Sequence, residues 1–289
     1  MSHLFAPFQP ESEEPRRRRF KPIPVRMLIP NLITLFSLCL GLTAIRMAVD
    51  GKFELAITSI VIAGILDGID GRIARLLHST SRFGAELDSL ADFVSFGVAP
   101  ALLLYFWGLN ALHSAGWIAV LVFAICAGLR LARFNVALDD PNKPPYTANF
   151  FVGVPAPAGA MIVMLPIYLE LMGLPHTAAS PAIALVYVIA IALLMVSWIP
   201  TWSGKGISGR VPREHVLLIL ICVVFFGALL VSYPWEVLSL GSIAYLCCIP
   251  LAYLQYKKLE RAYFAAASGG MIQPDTAKIE EERPTGPLN

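Results

Sequence analysis

The chain has 289 residues, of which 57% are hydrophobic and only 15% charged. That balance excludes an ordinary soluble domain and points to a bilayer as the solvent. The net charge of +2 carries little information, because the charges sit in clusters that the total averages away.

Residues 1–24 are polar, Pro-containing and basic (RRRRFKPIP) and are expected to form a cytoplasmic tail at the membrane surface. The first apolar run, from about Met27, is too long for a signal-peptide core and lacks a small-residue cleavage site, so it is expected to remain in the protein. Apolar segments then recur at roughly 27–48, 54–76, 84–107, 117–138, 156–173, 182–200, 215–233 and 236–256. Each is about the length that crosses ~30 Å of hydrocarbon as a helix. The expected architecture is an all-α integral membrane protein, a polytopic bundle of eight transmembrane helices. A membrane domain over residues 25–258 is followed by a disordered cytoplasmic tail over 259–289. With eight crossings and the arginine run inside, all but Arg46 and Lys52 of the 22 lysines and arginines fall on the cytoplasmic side. Both termini are therefore expected in the cytoplasm, and the protein in the cell's inner membrane with its chemistry on the inner face. The five cysteines (Cys39, Cys126, Cys222, Cys247 and Cys248) lie in apolar runs with no CxxC pair, and are read as small buried hydrophobes.

One stretch, GILDGIDGRIARLLHSTSRFGAELDSLADFVSFG, places Asp67, Asp70, Asp88 and Asp92 inside two apolar runs. An ionised aspartate near the centre of a membrane helix costs about 2.5–3.5 kcal/mol, so four of them, unpaired, would cost roughly 10 kcal/mol. Something positive must neutralise them. Asp67 and Asp70 are spaced i,i+3 and Asp88 and Asp92 i,i+4, so each pair occupies one face of its helix. The short link between the helices makes them antiparallel neighbours, and all four carboxylates can converge. Such an all-oxygen site suits a hard cation, Mg²⁺ or Mn²⁺, and two ions about 3.5–4 Å apart would serve displacement at phosphorus. Small residues nearby (Gly64, Gly68, Gly71, Ala74, Gly84, Ala85) allow close helix packing and ligand approach. An EF-hand is rejected because its twelfth position is His78. A structural salt-bridge cluster with Arg72, Arg75 and Arg82 is the bland alternative. His78 is read as interfacial, Glu86 has no assigned role, and Lys205, Arg210 and Arg213 are read as a basic anchoring loop.

The residues Asp67, Asp70, Gly71, Ala74, Arg75, Gly84, Asp88 and Asp92 reproduce, without a gap, the signature DxxDGxxAR(x)8GxxxDxxxD. This resembles the CDP-alcohol phosphatidyltransferases. The resemblance implies a six-helix catalytic core, here with two additional C-terminal helices, and a homodimer. It makes Asp67, Asp70 and Asp88 metal ligands, and Asp92 both a ligand of the second ion and the base that takes the acceptor's hydroxyl proton. Gly71 and Arg75 would contact the CDP group and Ala74 and Gly84 make room for it, with Asn31, Thr34 and Ser81 at its border. The partners implied are CDP-diacylglycerol, an alcohol and the lipid bilayer, and not nucleic acid.

The segments LDSLADFVSFGVAPA, GLRLARFN and TWSGKGISGR look like the phosphatidylserine synthase branch of that family, which would make L-serine the acceptor. Arg130 and Arg133, i,i+3 at the end of the fourth apolar run with Asn135 just beyond, fit an anionic acceptor. They would serve equally as snorkelling anchors. Glycerol 3-phosphate, inositol or its phosphate, and choline remain alternative acceptors. A divalent-cation transporter is the rival from another class. It is disfavoured because the acids cluster at one end of their helices and no internal repeat is visible.

Overall fold

The structure is a computed structural model and describes residues 28–77, 81–138, 150–202 and 213–268. The basic N-terminal run, His78, Lys143, Lys205 and Arg210 lie outside the described residues, as do the side chain of Arg213 and the C-terminal residues from 269. Helical segments occupy all eight expected positions: α1 (Leu28–Val49), α2 (Phe53–Leu76), α3 (Arg82–Asp92) continuing into α4 (Ala99–Trp107), α5 (His113–Leu138), α6 (Ala156–Val163) with α7 (Leu165–Leu171), α8 (Ser180–Val196), α9 (Arg213–Ser232) and α10 (Pro234–Ser268). Four stretches, Leu28–Val49, Arg82–Trp107, Leu109–Ala137 and Pro234–Phe264, are long and apolar enough to cross a membrane, while Ala156–Leu171, Ser180–Val196 and Val216–Ser232 are shorter apolar helices. α2 is 24 residues long but carries Asp67 and Asp70 in its second half. The protein is therefore a mostly helical membrane protein. α10 runs ten residues beyond the expected end of the membrane domain at 258, to Ser268.

α1 is the organising helix. Its buried positions are Pro30, Thr34, Ser37, Gly41, Ala44 and Ala48, a stripe of small side chains at spacings of three and four. Between membrane helices there is little hydrophobic driving force, and such stripes let backbones approach for dispersion contact and hydrogen bonding. α1 packs on α2, α3 and α4, and Ser37 Oγ donates to the Ala63 carbonyl of α2 at 3.1 Å. The matching stripe of α2 is Ala56, Ile57, Ile60, Ala63 and finally Asp70. Asp70 thus extends the face that packs on α1.

Two breaks have local causes. The third run is not one helix: Phe93–Val98 forms a π-helical turn between α3 and α4. Pro100 follows it at the start of α4, and a proline supplies no N–H for an i−4 carbonyl and clashes with it, so the widened turn accommodates the mismatch. Phe93 then lies over Gly97 and Gly128, and Ser95 Oγ donates to the Ser37 carbonyl at 3.2 Å. The fifth run breaks at Met164 because Pro166 cannot donate to the Ile162 carbonyl. Tyr187 of α8 supplies the missing donor, its hydroxyl reaching Ile162 O at 2.8 Å.

The all-α expectation needs one addition. β1 (Phe150–Val152) pairs antiparallel with β2 (Pro200–Trp202), Phe151 opposite Thr201. α10 docks on this ribbon through a Trp202 Nε1 to Gln255 Oε1 hydrogen bond of 2.6 Å and an edge-to-face contact of Phe150 with Tyr256. The cysteine reading is corrected as well: Cys39, Cys222 and Cys247 are exposed and only Cys126 and Cys248 are partly covered. In a membrane an apolar side chain satisfies its surroundings by facing lipid, so apolarity does not imply an interior position.

Candidate active site

The carboxylates of Asp67, Asp70 and Asp88 come together, with one oxygen from each lying within 4.8 Å of the others. Two come from the second half of α2, at i,i+3, and one from α3. Asp92, one turn further along α3, adjoins Asp67 carboxyl to carboxyl. All four acids predicted from spacing therefore converge. No described lysine, arginine or histidine forms an ion pair with any of them, which argues against the salt-bridge alternative among the described residues. Asp88 Oδ1 is buried and makes no hydrogen bond to any described residue. A buried carboxylate oxygen without a donor is costly, and a cluster of this composition fits a hard divalent cation.

Asp70 is oriented from α1. Its Oδ2 accepts from Thr34 Oγ1 at 2.7 Å, and both residues are nearly inaccessible, at 4% and 5% exposure. The same hydroxyl lies 3.1 Å from the Pro30 carbonyl, but its single proton favours the shorter contact to the charged group. Thr34, expected at the border of the nucleotide, thus also orients the Asp70 carboxylate.

Beside the acids opens a cavity of about 270 Å³ lined by Pro30, Asn31, Thr34, Asp70, Gly71, Ala74, Arg75, Ser81, Gly84, Ala85 and Asp88. Every residue that the family signature assigns to the CDP group lies on this wall, while Asp67 and Asp92 do not line it. Gly71 faces open space: a Cβ there would meet nothing within 4 Å. Gly84 does not. A Cβ there would stand 2.9 Å from Asn31 Oδ1 and 3.1 Å from Ser81 Oγ, so this glycine makes room for cavity side chains of the protein itself. Ser81 caps α3, its Oγ accepting from Gly84 N at 3.0 Å, which leaves a helix N-terminus at the cavity edge, a favourable place for a phosphate. Arg75 folds back on its own helix, Nε donating to the Gly71 carbonyl at 3.0 Å, and remains exposed at the rim.

The three residues expected to meet the acceptor part company. Arg130 is buried at 6% exposure and lies within electrostatic reach of Asp92 and of Tyr245 on α10. Arg133 is held at the end of α8, Nη1 donating to the Val196 carbonyl at 2.7 Å with its guanidinium over the Trp198 ring. Asn135 bridges α5 to α3, Nδ2 donating to Ser89 Oγ at 2.8 Å, one residue from Asp88. The π turn directly after Asp92 was not foreseen. Its signal in the sequence is Pro100, and such turns are frequent at functional sites.

Comparison with known proteins agrees with this geometry. The profile described as CDP-alcohol phosphatidyltransferase matches residues 27–204. The chain belongs to the CDP-alcohol phosphatidyltransferase family. A second profile, CDP-alcohol phosphatidyltransferase 2, matches 214–250, across α9 and the first half of α10. A CDP-diacylglycerol–serine O-phosphatidyltransferase of Mycobacterium leprae is 41% identical over 241 residues, 83% of this chain and 78% of its own. Proteins of the same name from Helicobacter pylori, 36% identical over 71% of this chain and 84% of theirs, and from Methanocaldococcus jannaschii, 37% identical over 61% and 76%, are also similar.

Proposed function

We propose that this chain transfers the phosphatidyl group of CDP-diacylglycerol to the hydroxyl of L-serine, giving phosphatidylserine and CMP. The observation that carries the reading is the convergence of Asp67, Asp70 and Asp88 at one point beside a cavity that gathers every residue the signature assigns to the CDP group. The serine acceptor is supported by the names of relatives that align over most of this chain.

In the reaction the serine hydroxyl oxygen forms a bond to the lipid-side phosphorus of the pyrophosphate. The bond from that phosphorus to the CMP oxygen breaks, and CMP leaves with the electron pair. Asp92 takes the hydroxyl proton, and no covalent enzyme intermediate is needed. Asp67, Asp70, Asp88 and Asp92 would hold two divalent ions, Mg²⁺ or Mn²⁺, which would neutralise charge on the phosphates when bound. Gly71 leaves space for the nucleotide, Arg75 offers a guanidinium at the rim, and the α3 N-terminus faces the phosphates. Of the acceptor candidates, Arg130 is the one placed beside Asp92, and its guanidinium suits a carboxylate. Asn135 acts by positioning α3, while Arg133 secures α8.

Further parts of the proposal are eight crossings of the inner membrane, a membrane domain over 25–258 between two cytoplasmic tails, and a homodimer. The test is CMP release from CDP-diacylglycerol by the purified full-length enzyme in mixed micelles, with L-serine, glycerol 3-phosphate, inositol or choline as acceptor. L-Serine should stimulate release at least tenfold more than the others. Release indifferent to L-serine would discard the assignment.

A further inference from the structure

α10 lies outside the residues that carry the family signature, yet it brings a polar group to the acceptor side of the site. The Tyr245 hydroxyl is buried and makes no hydrogen bond of ordinary geometry with any described residue. A hydroxyl in that condition is disfavoured by about 1–3 kcal/mol and wants a partner. Its neighbour Thr201 gives its proton to the Gly153 carbonyl, Oγ1 to O 2.8 Å, and towards Tyr245 can only accept. The Cys248 thiol and Arg130 are also near it, and Arg130 is itself buried and within reach of Asp92. The guanidinium can only donate and the phenol can donate its O–H, so an anion beside them would find two donors.

Two cavities meet at this tyrosine. One, of about 350 Å³, lies between the ribbon and α10 and is walled by Thr201, Trp202 and the small residues Gly241, Ala244, Cys248 and Ala252. The other, of about 400 Å³, reaches Gly64 on α2, one helical turn before Asp67. Tyr245 lines both. A small molecule in the cavity beside the ribbon would thus meet Tyr245.

We propose that Tyr245 and Arg130 jointly hold the carboxylate of the amino-acid acceptor, so that α10 forms part of the acceptor site and the cavity beside the ribbon is the way in. The inference rests on the serine reading above and adds to it the residue that selects a carboxylate. Two convergent donors match the two oxygens of a carboxylate, and the anion compensates the buried guanidinium. An amino alcohol without a carboxylate would leave the buried guanidinium without an anion, the kind of loss that gives strong discrimination.

The experiment is Tyr245→Phe in the full-length enzyme, assayed for CMP release with L-serine and with ethanolamine. The KM for L-serine should rise about tenfold and the KM for CDP-diacylglycerol should not follow. The preference for L-serine over ethanolamine in kcat/KM should fall by the same factor. Arg130→Lys combined with Tyr245→Phe should raise the L-serine KM by less than the product of the single effects, because both act on one ligand group. An unchanged L-serine KM, an equal rise in both KM values, or full additivity would overturn the inference. If the parent enzyme itself ignores L-serine, the functional reading has failed and the inference with it. A serine-dependent parent with an indifferent Tyr245→Phe variant overturns the inference alone.

Discussion

Thr34→Val tests the link between α1 and the acidic cluster most directly. The substitution keeps a β-branched side chain of the same shape and the same rotamer preference, but deletes the donor that reaches Asp70 Oδ2 at 2.7 Å. Both partners are buried, at 5% and 4% exposure, so water cannot replace the lost bond. A hydrogen bond to a charged group contributes about 1.5–3 kcal/mol, and about 1.4 kcal/mol is a factor of ten. The hold of the cluster on a cation should therefore weaken about 10- to 100-fold, the range found for the supports of metal ligands. The assay is CMP release against Mg²⁺ or Mn²⁺ concentration after chelation of the purified enzyme. The half-activating concentration should move upward by that factor, and saturating metal should restore most of kcat. Thr34→Ser, which retains the hydroxyl, should stay close to the parent. If Thr34→Val shows the parent's metal dependence, or loses activity that no metal concentration restores, Thr34 does not orient a ligand carboxylate.

Two further substitutions separate chemistry from architecture. Asp92→Asn should lower kcat by about 10²–10⁴, the usual contribution of a general base, while raising the KM for CDP-diacylglycerol less than Asp67→Asn does; an Asp92 variant as active as the parent would remove its role as base. Gly41→Ala places a Cβ 2.5 Å from Ser95 Oγ and 2.9 Å from Ser95 Cα, an overpacking that costs about 1–3 kcal/mol. It should lower the melting temperature in detergent by several degrees, and an unaltered melt would mean that α1 and the π turn do not pack as closely as described.

What the sequence made legible was local. The i,i+3 and i,i+4 spacings place two acids on one face of each helix whatever the rest of the chain does, and the acids indeed meet. The signature residues around them share a cavity because they lie within a few turns of those acids or at the start of α1. What was hidden depends on partners distant in sequence. The Thr34–Asp70 bond spans 36 residues and the Arg133–Val196 bond 63. The spacing of Arg130 and Arg133 puts them on one side of α5, but the long side chains then diverge, one towards Asp92 and the other to the end of α8. The ribbon of β1 and β2 escapes a search for hydrophobic periodicity because three residues per strand are too few to show alternation. The cysteines were misplaced for a different reason: burial rules framed for water do not hold where the solvent is lipid.

The arrangement of α1, α2 and α3 also answers how four like charges can be brought together before any cation arrives. Carboxylates on two facing helices repel, so contact between α2 and α3 alone would oppose the convergence that the chemistry needs. Here each of these helices packs on α1, whose buried stripe contains no charged residue and meets Ala63 of α2 at Ser37 and Ser95 of the π turn at Gly41. Thr34 then aims Asp70, Asn135 ties α3 to α5 one residue from Asp88, and the π turn permits α3 to leave the line of α4 directly after Asp92. On the proposed reading, a cation entering such a site would find its ligands already placed and gain their charge without first reorganising the helices. That is the condition under which electrostatic stabilisation of a pyrophosphate and its leaving group is most effective.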